Sequence, residues 1–181
     1  LVLSGLAQPA GIALDLAAGK MLWADYVLGT ISRANLDGSA VETLLTGLSQ
    51  PRNLAIDRAA GVFYFTWGLG WGGVSRANLD GTGLTPIVTE GGNATGLALD
   101  AVAGRLYWAD DLSGAVRSAT KTGSDLVTVT GDLTRALGLA LRGAAGPPPP
   151  VEGVRLVGSA GAGLAGGVVS VYRGGWQVYG V

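Results

Sequence analysis

Three observations on this chain of 181 residues predict an all-β fold built from four-stranded antiparallel units. Glycine is abundant, with 32 residues, and charged residues make up only 14%, against about 25% in ordinary soluble domains. Val, Leu and Thr fall in short runs broken by turn residues, which favours strands joined by tight turns. The third and strongest observation is that the sequence repeats itself at a fixed period.

The period emerges when QPAGIALDLAAGKMLWAD from Gln8, QPRNLAIDRAAGVFYFTW from Gln50 and NATGLALDAVAGRLYWAD from Asn93 are aligned. Asp15, Asp57 and Asp100 then fall in register, 42 and 43 residues apart, and Gly19, Gly61 and Gly104 follow each of them by four. Downstream, ISRANLDG from Ile31 returns as VSRANLDG from Val74 and, more loosely, as VRSATKTG from Val116. The repeats run over about 8–49, 50–92 and 93–135.

Each unit reads as four strands. GIALD is an apolar run that ends at Asp15. The stretch from Asp15 to Gly19 is a hairpin turn, in which the Asp accepts backbone hydrogen bonds and the Gly supplies positive φ. KMLWAD is the second strand and TISRANL the third; Asp37-Gly38 then turns the chain into VETLLT. Four strands in about 42 residues is the period of a β-propeller blade. The opening LVLSGLAQP matches LLTGLSQP from Leu44, so the chain enters on the last strand of a preceding unit, and LGLALR at 137–142 starts a fourth. The expectation is therefore a partial β-propeller of three four-stranded antiparallel blades over 1–142, with two open edges able to self-associate.

LWAD at 22–25 and YWAD at 107–110, with the flanking Asp-x-x-x-Gly and LDG elements, resemble the YWTD repeats (class B) of the LDL receptor family. That resemblance implies a six-bladed ring, a protein ligand bound on one face, and an extracellular or cell-surface setting. The middle unit departs from it: Phe65-Thr66-Trp67 replaces the signature, with Trp67 where Asp belongs, and Gly70 to Gly73 include an extra residue. The third unit has Thr122 in place of the LDG aspartate. The family's acid-triggered ligand release relies on histidines, and this chain has none.

The tail reads differently. Residues 143–152 form a Gly/Pro-rich linker ending in four prolines, which favour a stiff polyproline II spacer. Beyond it, Arg155 to Gly158, Val169 to Tyr172 and Gly175-Trp176 resemble the start of a scavenger receptor cysteine-rich (SRCR) domain, truncated near its first cysteine. A short β segment over 153–181 is expected.

Repetition separates two kinds of candidate residue. Trp23, Tyr107 and Trp108 read either as a stacking platform for a ligand or as aromatics that pack one blade on the next. Asp25 and Asp110 read either as catalytic carboxylates or as acceptors for backbone amides, the role the resemblance implies. Since one active site needs no copies, repetition favours architecture in both cases. The repeated Arg33 and Arg76 suggest rim salt bridges with Asp37 or Asp80. Trp67 and Trp71 break the repeat on a Gly-rich loop and are the ligand-binding candidates. Asn93-Ala94-Thr95 is an N-glycosylation sequon in a loop before a first strand.

Composition narrows the function classes. The net charge of −1 provides no basic surface for nucleic acid. Absence of Cys and His excludes disulfides, Cys/His zinc sites and Ser-His-Asp chemistry within these residues. The expected function is a non-catalytic protein-binding module with no cofactor and no metal, of a receptor-like or matrix protein; any membrane attachment would lie outside this segment. The alternative is a fragment of a propeller lactonase or hydrolase. That needs a metal on Glu, Asp or Asn at the central channel, and Glu42, Glu90 and Glu152 do not fall at first-strand positions facing the axis.

Overall fold

The computed structural model describes residues 3–68 and 71–141, and the strand segments 153–158, 167–172 and 175–179. Among the described residues all sixteen elements are strands. The first sheet is the meander β1 (Pro9–Asp15), β2 (Lys20–Asp25), β3 (Thr30–Asn35) and β4 (Glu42–Leu45). The second is β5 (Leu54–Asp57), β6 (Val62–Trp67), β7 (Gly72–Asn78) and β8 (Thr85–Gly92), and the third is β9 (Ala94–Asp100), β10 (Arg105–Asp110), β11 (Ala115–Thr120) and β12 (Val127–Thr130). Every pairing within them is antiparallel between sequence neighbours. This is the partial β-propeller architecture that the period predicts.

The tail corrects one expectation. β13 (Gly138–Leu141) pairs antiparallel with β14 (Gly153–Gly158), followed by β15 (Gly167–Tyr172) and β16 (Gly175–Tyr179), in a fourth four-stranded sheet. The strand segments 153–158, 167–172 and 175–179 thus share a sheet with β13 at the end of the repeat region. The physical reason is that β13 has an edge to fill, and the alternating VRLVG and VVSVY runs supply strands for it. The linker 143–152 lies outside the described residues.

The chain divides into two compact units, 1–94 and 95–181. In the first, the core joins the first two sheets: Leu22, Ala24, Ile31 and Leu45 pack against Leu54, Phe63, Phe65 and Ala77. Each large side chain so buried contributes about 1.5–3 kcal/mol. The middle strands β2, β3, β6 and β7 are largely buried, while much of β1 and β4 faces solvent. Gly11 lets β1 approach β5, since a Cβ there would lie 2.3 Å from the Arg52 carbonyl oxygen. In the second unit Gly96 plays the same part against Gly138, at 2.8 Å. Between third and fourth strands the register slips at the same repeat position each time: Ile31/Ser32, Val74/Ser75 and Val116/Arg117. Such bulges add twist to an edge strand.

Candidate functional site

The repeated polar residues are occupied by backbone. Asp15, Asp57 and Asp100 each accept the amide three residues on, from Ala18, Ala60 and Ala103 at 3.0, 3.1 and 2.7 Å, and Gly19, Gly61 and Gly104 close these turns at φ of 64°, 68° and 68°. Asp15 also receives Arg58 from the second sheet, at 2.6 Å to both carboxylate oxygens. Asp25, only 1% exposed, accepts Ala7 N at 2.9 Å, Gln8 N at 3.2 Å, Val27 N at 3.1 Å and Leu28 N at 3.0 Å. Desolvation pushes its pKa up, but the amides of Leu28, Ala7, Gln8 and Val27 outweigh that and hold it below the usual value. Asp110 accepts the Leu112 and Ser113 amides and the Ser113 hydroxyl, and pairs with Arg117 at 3.2 Å.

The other repeated positions are mostly interior. Trp108 is fully buried, and Tyr107 packs beside Val116. Trp23 is 4% exposed and packs with Met21, Ala34, Leu3 and Leu6. Beside it lies an apolar groove of about 320 Å³ lined by Leu3, Leu6, Pro9, Ile12, Met21 and Trp23. One repeat later, the matching residues Leu45, Leu48, Leu54, Phe63 and Phe65 belong to the core that Leu22, Ala24 and Ile31 cover. The groove is therefore the same site without its covering sheet.

Two expectations need correction. Arg33 pairs with Glu42 of the neighbouring strand at 2.7 Å and donates to the Leu79 carbonyl at 2.7 Å, not to Asp37. Asp37 is turned inward on its own hairpin, accepting the Ser39 hydroxyl at 2.6 Å and amide at 2.9 Å; these bonds lower its pKa. Asp80 does the same with Thr82, and Arg33 adds a smaller attraction there, while Arg76 stands exposed opposite Thr85. At the sequon, Asn93 lies between β8 and β9 and is 8% exposed, and Thr95 is buried with its hydroxyl on the Ala136 carbonyl at 2.9 Å.

Trp67 and Trp71 sit together at one end of the second sheet. Trp67 ends β6, half-buried against the core, and its indole Nε1 is buried without a partner. Trp71 is 91% exposed. Gly68 and Gly72 fold the turn so tightly that a Cβ on Gly72 would lie 2.0 Å from the Trp67 carbonyl oxygen. With no aspartate at this end, Thr66 secures the entering chain: its hydroxyl accepts Asn53 N at 3.0 Å, its amide donates to Asn53 O at 3.0 Å, and its carbonyl accepts Arg52 N at 2.8 Å. Arg52 thus stands beside Trp67, with its guanidinium over the Tyr26 ring, 5.3 Å from the centroid. Val27 and Leu28, both exposed, continue the same edge. Arg52 and Tyr26 went unnoticed in the sequence, although each breaks the repeat: Ala10 and Thr95 match Arg52, while Gly68 and Asp111 match Tyr26.

Residues 19–58 match the family described as Low-density lipoprotein receptor repeat class B. No protein of curated function matches the chain. Among solved structures, the chain is similar to "Crystal structure of Nidogen/Laminin Complex", with a TM-score of 0.77 and 21% identity over 93% of this chain and 61% of that one. It is also similar to the Kuenenia stuttgartiensis hydrazine synthase (TM-score 0.75, 10% identity, 98% of this chain and 51% of that one). A structural genomics protein of unknown function from Bacteroides thetaiotaomicron VPI-5482 matches as well, at TM-score 0.67 and 15% identity over 97% and 43%. The chain spans about three fifths of the first of these. These likenesses speak for the propeller fold, and a fold shared by a binding protein and an enzyme does not choose between them.

Proposed function

We propose that the chain is a non-catalytic protein-binding module of extracellular or cell-surface type, within a receptor-like or matrix protein, and that its unit 1–94 contacts ligand through the edge bearing Trp67 and Trp71. The observation that carries this is Trp71, a large aromatic left 91% exposed on a turn where the repeat breaks. Aromatic anchors with low side-chain entropy are favoured at the centres of protein interfaces. The repeated carboxylates favour binding over catalysis, because Asp15, Asp25 and Asp110 already hold backbone amides or arginines. The class B match at 19–58 supports the extracellular setting.

We assign 153–181 to a fourth repeat-like unit in preference to an SRCR domain; the pairing of β13 with β14 supports this. Self-association through the groove beside Trp23 belongs to the same proposal, the occupant being the apolar sheet face of a second copy. It is tested by sedimentation velocity across micromolar concentrations, where a compact monomer throughout would overturn it.

The protein-binding reading is tested by surface plasmon resonance against immobilised matrix proteins, laminin first because nidogen is solved in complex with it. Binding that weakens about tenfold in Trp71→Ala is the expected result. Binding indifferent to Trp71→Ala would move the site elsewhere, and no binding across the panel would remove the reading.

A further inference from the structure

Tyr26, Arg52, Trp67 and Trp71 form one continuous edge of the unit 1–94. Arg52 donates its amide to Thr66, next to Trp67, and rests on Tyr26; Gly68 and Gly72 bring Trp71 back to the end of the same strand. We propose that this edge binds an acidic segment of a protein partner, with a carboxylate on the Arg52 guanidinium and a neighbouring apolar side chain against Trp71. The inference rests on the protein-binding reading above and supplies its ligand chemistry.

The argument begins with how the chain treats its other arginines. Arg33, Arg58, Arg105, Arg117 and Arg135 hold Glu42, Asp15, Asp125, Asp110 and Asp111 respectively. Arg52 holds no carboxylate among the described residues. Arg76 holds none among the described residues either, but it is exposed, whereas Arg52 is half-buried and its Nε is buried without an acceptor. With Nε enclosed, a partner's carboxylate would be met by the two terminal guanidinium nitrogens, which can donate two parallel hydrogen bonds. Among the described residues none is provided at this edge. Asp25 is the nearby acid in sequence register, and its oxygens are taken by four backbone amides.

The surroundings favour an anion carried on an apolar segment over a free one. The Tyr26 ring fixes the guanidinium plane, so little freedom remains to be lost when a carboxylate docks. Trp71 provides exposed apolar surface at the end of the second sheet, and Val27 and Leu28 provide it after β2 of the first. A polyanion such as a glycosaminoglycan would need several adjacent cations, and this edge has one.

The test is selection of a phage-displayed peptide library on the whole chain. Enriched peptides are expected to carry Asp or Glu beside Leu, Ile, Phe or Trp. The consensus peptide, labelled and followed by fluorescence anisotropy, is expected to lose about tenfold in affinity when its acid is changed to the amide. Arg52→Gln in the chain should erase that distinction, and Arg52→Lys, which keeps the charge without the fork, should restore part of it. Circular dichroism of each variant checks that the fold is kept. A consensus without acids, or an Asp/Asn distinction that survives in Arg52→Gln, overturns the acidic-ligand proposal while leaving protein binding intact. Failure to enrich any peptide overturns both.

Discussion

The first and second repeats have one backbone plan and treat the same end of it in opposite ways. In the first, Asp25 closes the end of β2 by gathering four amides, two from the entering chain at Ala7 and Gln8 and two from its own turn at Val27 and Leu28. In the second, Trp67 occupies that position, the Thr66 hydroxyl and backbone take over the entering chain, and the turn swings out an exposed Trp71. The difference teaches that the signature aspartate is a clamp. Where it is kept, the backbone amides at the end of the strand have a carboxylate to accept them. Where it is lost, the same end carries the buried, unpartnered nitrogens of Trp67 and Arg52.

The apolar positions give the largest expected contrast. Phe65 is the repeat equivalent of Trp23, and it is enclosed by both sheets while Trp23 borders the open groove. Phe65→Ala is expected to cost about 3–5 kcal/mol in urea denaturation, as enclosed aromatic truncations do. Trp23→Ala should cost less, because the groove side can relax; equal costs would show the groove to be as tightly bounded as the core.

Next in size is the clamp. Asp25→Ala should destabilise by about 2–3 kcal/mol, since buried amides lose a charged acceptor. Its pKa is held below the ordinary aspartate value, so the sign follows from linkage. Its contribution is complete above the unfolded-state value and is lost as pH falls through the lower folded value. The difference between wild type and Asp25→Asn, measured by denaturation from pH 6 downward, should therefore hold steady and then shrink below about pH 4. A difference that grows on acidification would remove the clamp assignment.

Smaller effects follow at the surface. Arg58 is half-exposed, so Arg58→Ala should cost under about 1 kcal/mol and cost less at high salt, even though it spans from the second sheet to Asp15 of the first. Trp71→Ala should change stability by no more than about 0.5 kcal/mol, because it removes almost no buried surface. If Trp71→Ala instead unfolds the chain, Trp71 is architecture and the contrast between the two sheet ends has another origin.

The sequence by itself determined the all-β class, the three repeat units and their hairpin turns. Those features are local: an aspartate accepting an amide three residues on, a glycine at positive φ and alternating apolar residues act within a few positions of chain, and the period of 42–43 residues multiplies the signal. Trp67 and Trp71 were legible for the same reason, as breaks in that period. Arg52 and Tyr26 broke it too, but at positions with no signature to violate, and only their meeting across two sheets gives them meaning. Tertiary structure alone decided where Arg33 finds its carboxylate, because Asp37 is nearer in sequence but committed to its own turn. It alone decided that the Asn93 sequon is buried, since the burial of Asn93 and the bond from Thr95 to Ala136 depend on strands a sequon cannot see. It alone joined β14 to β13, because strand pairing across an intervening stretch is set by which edge is left unfilled, and no residue type records that.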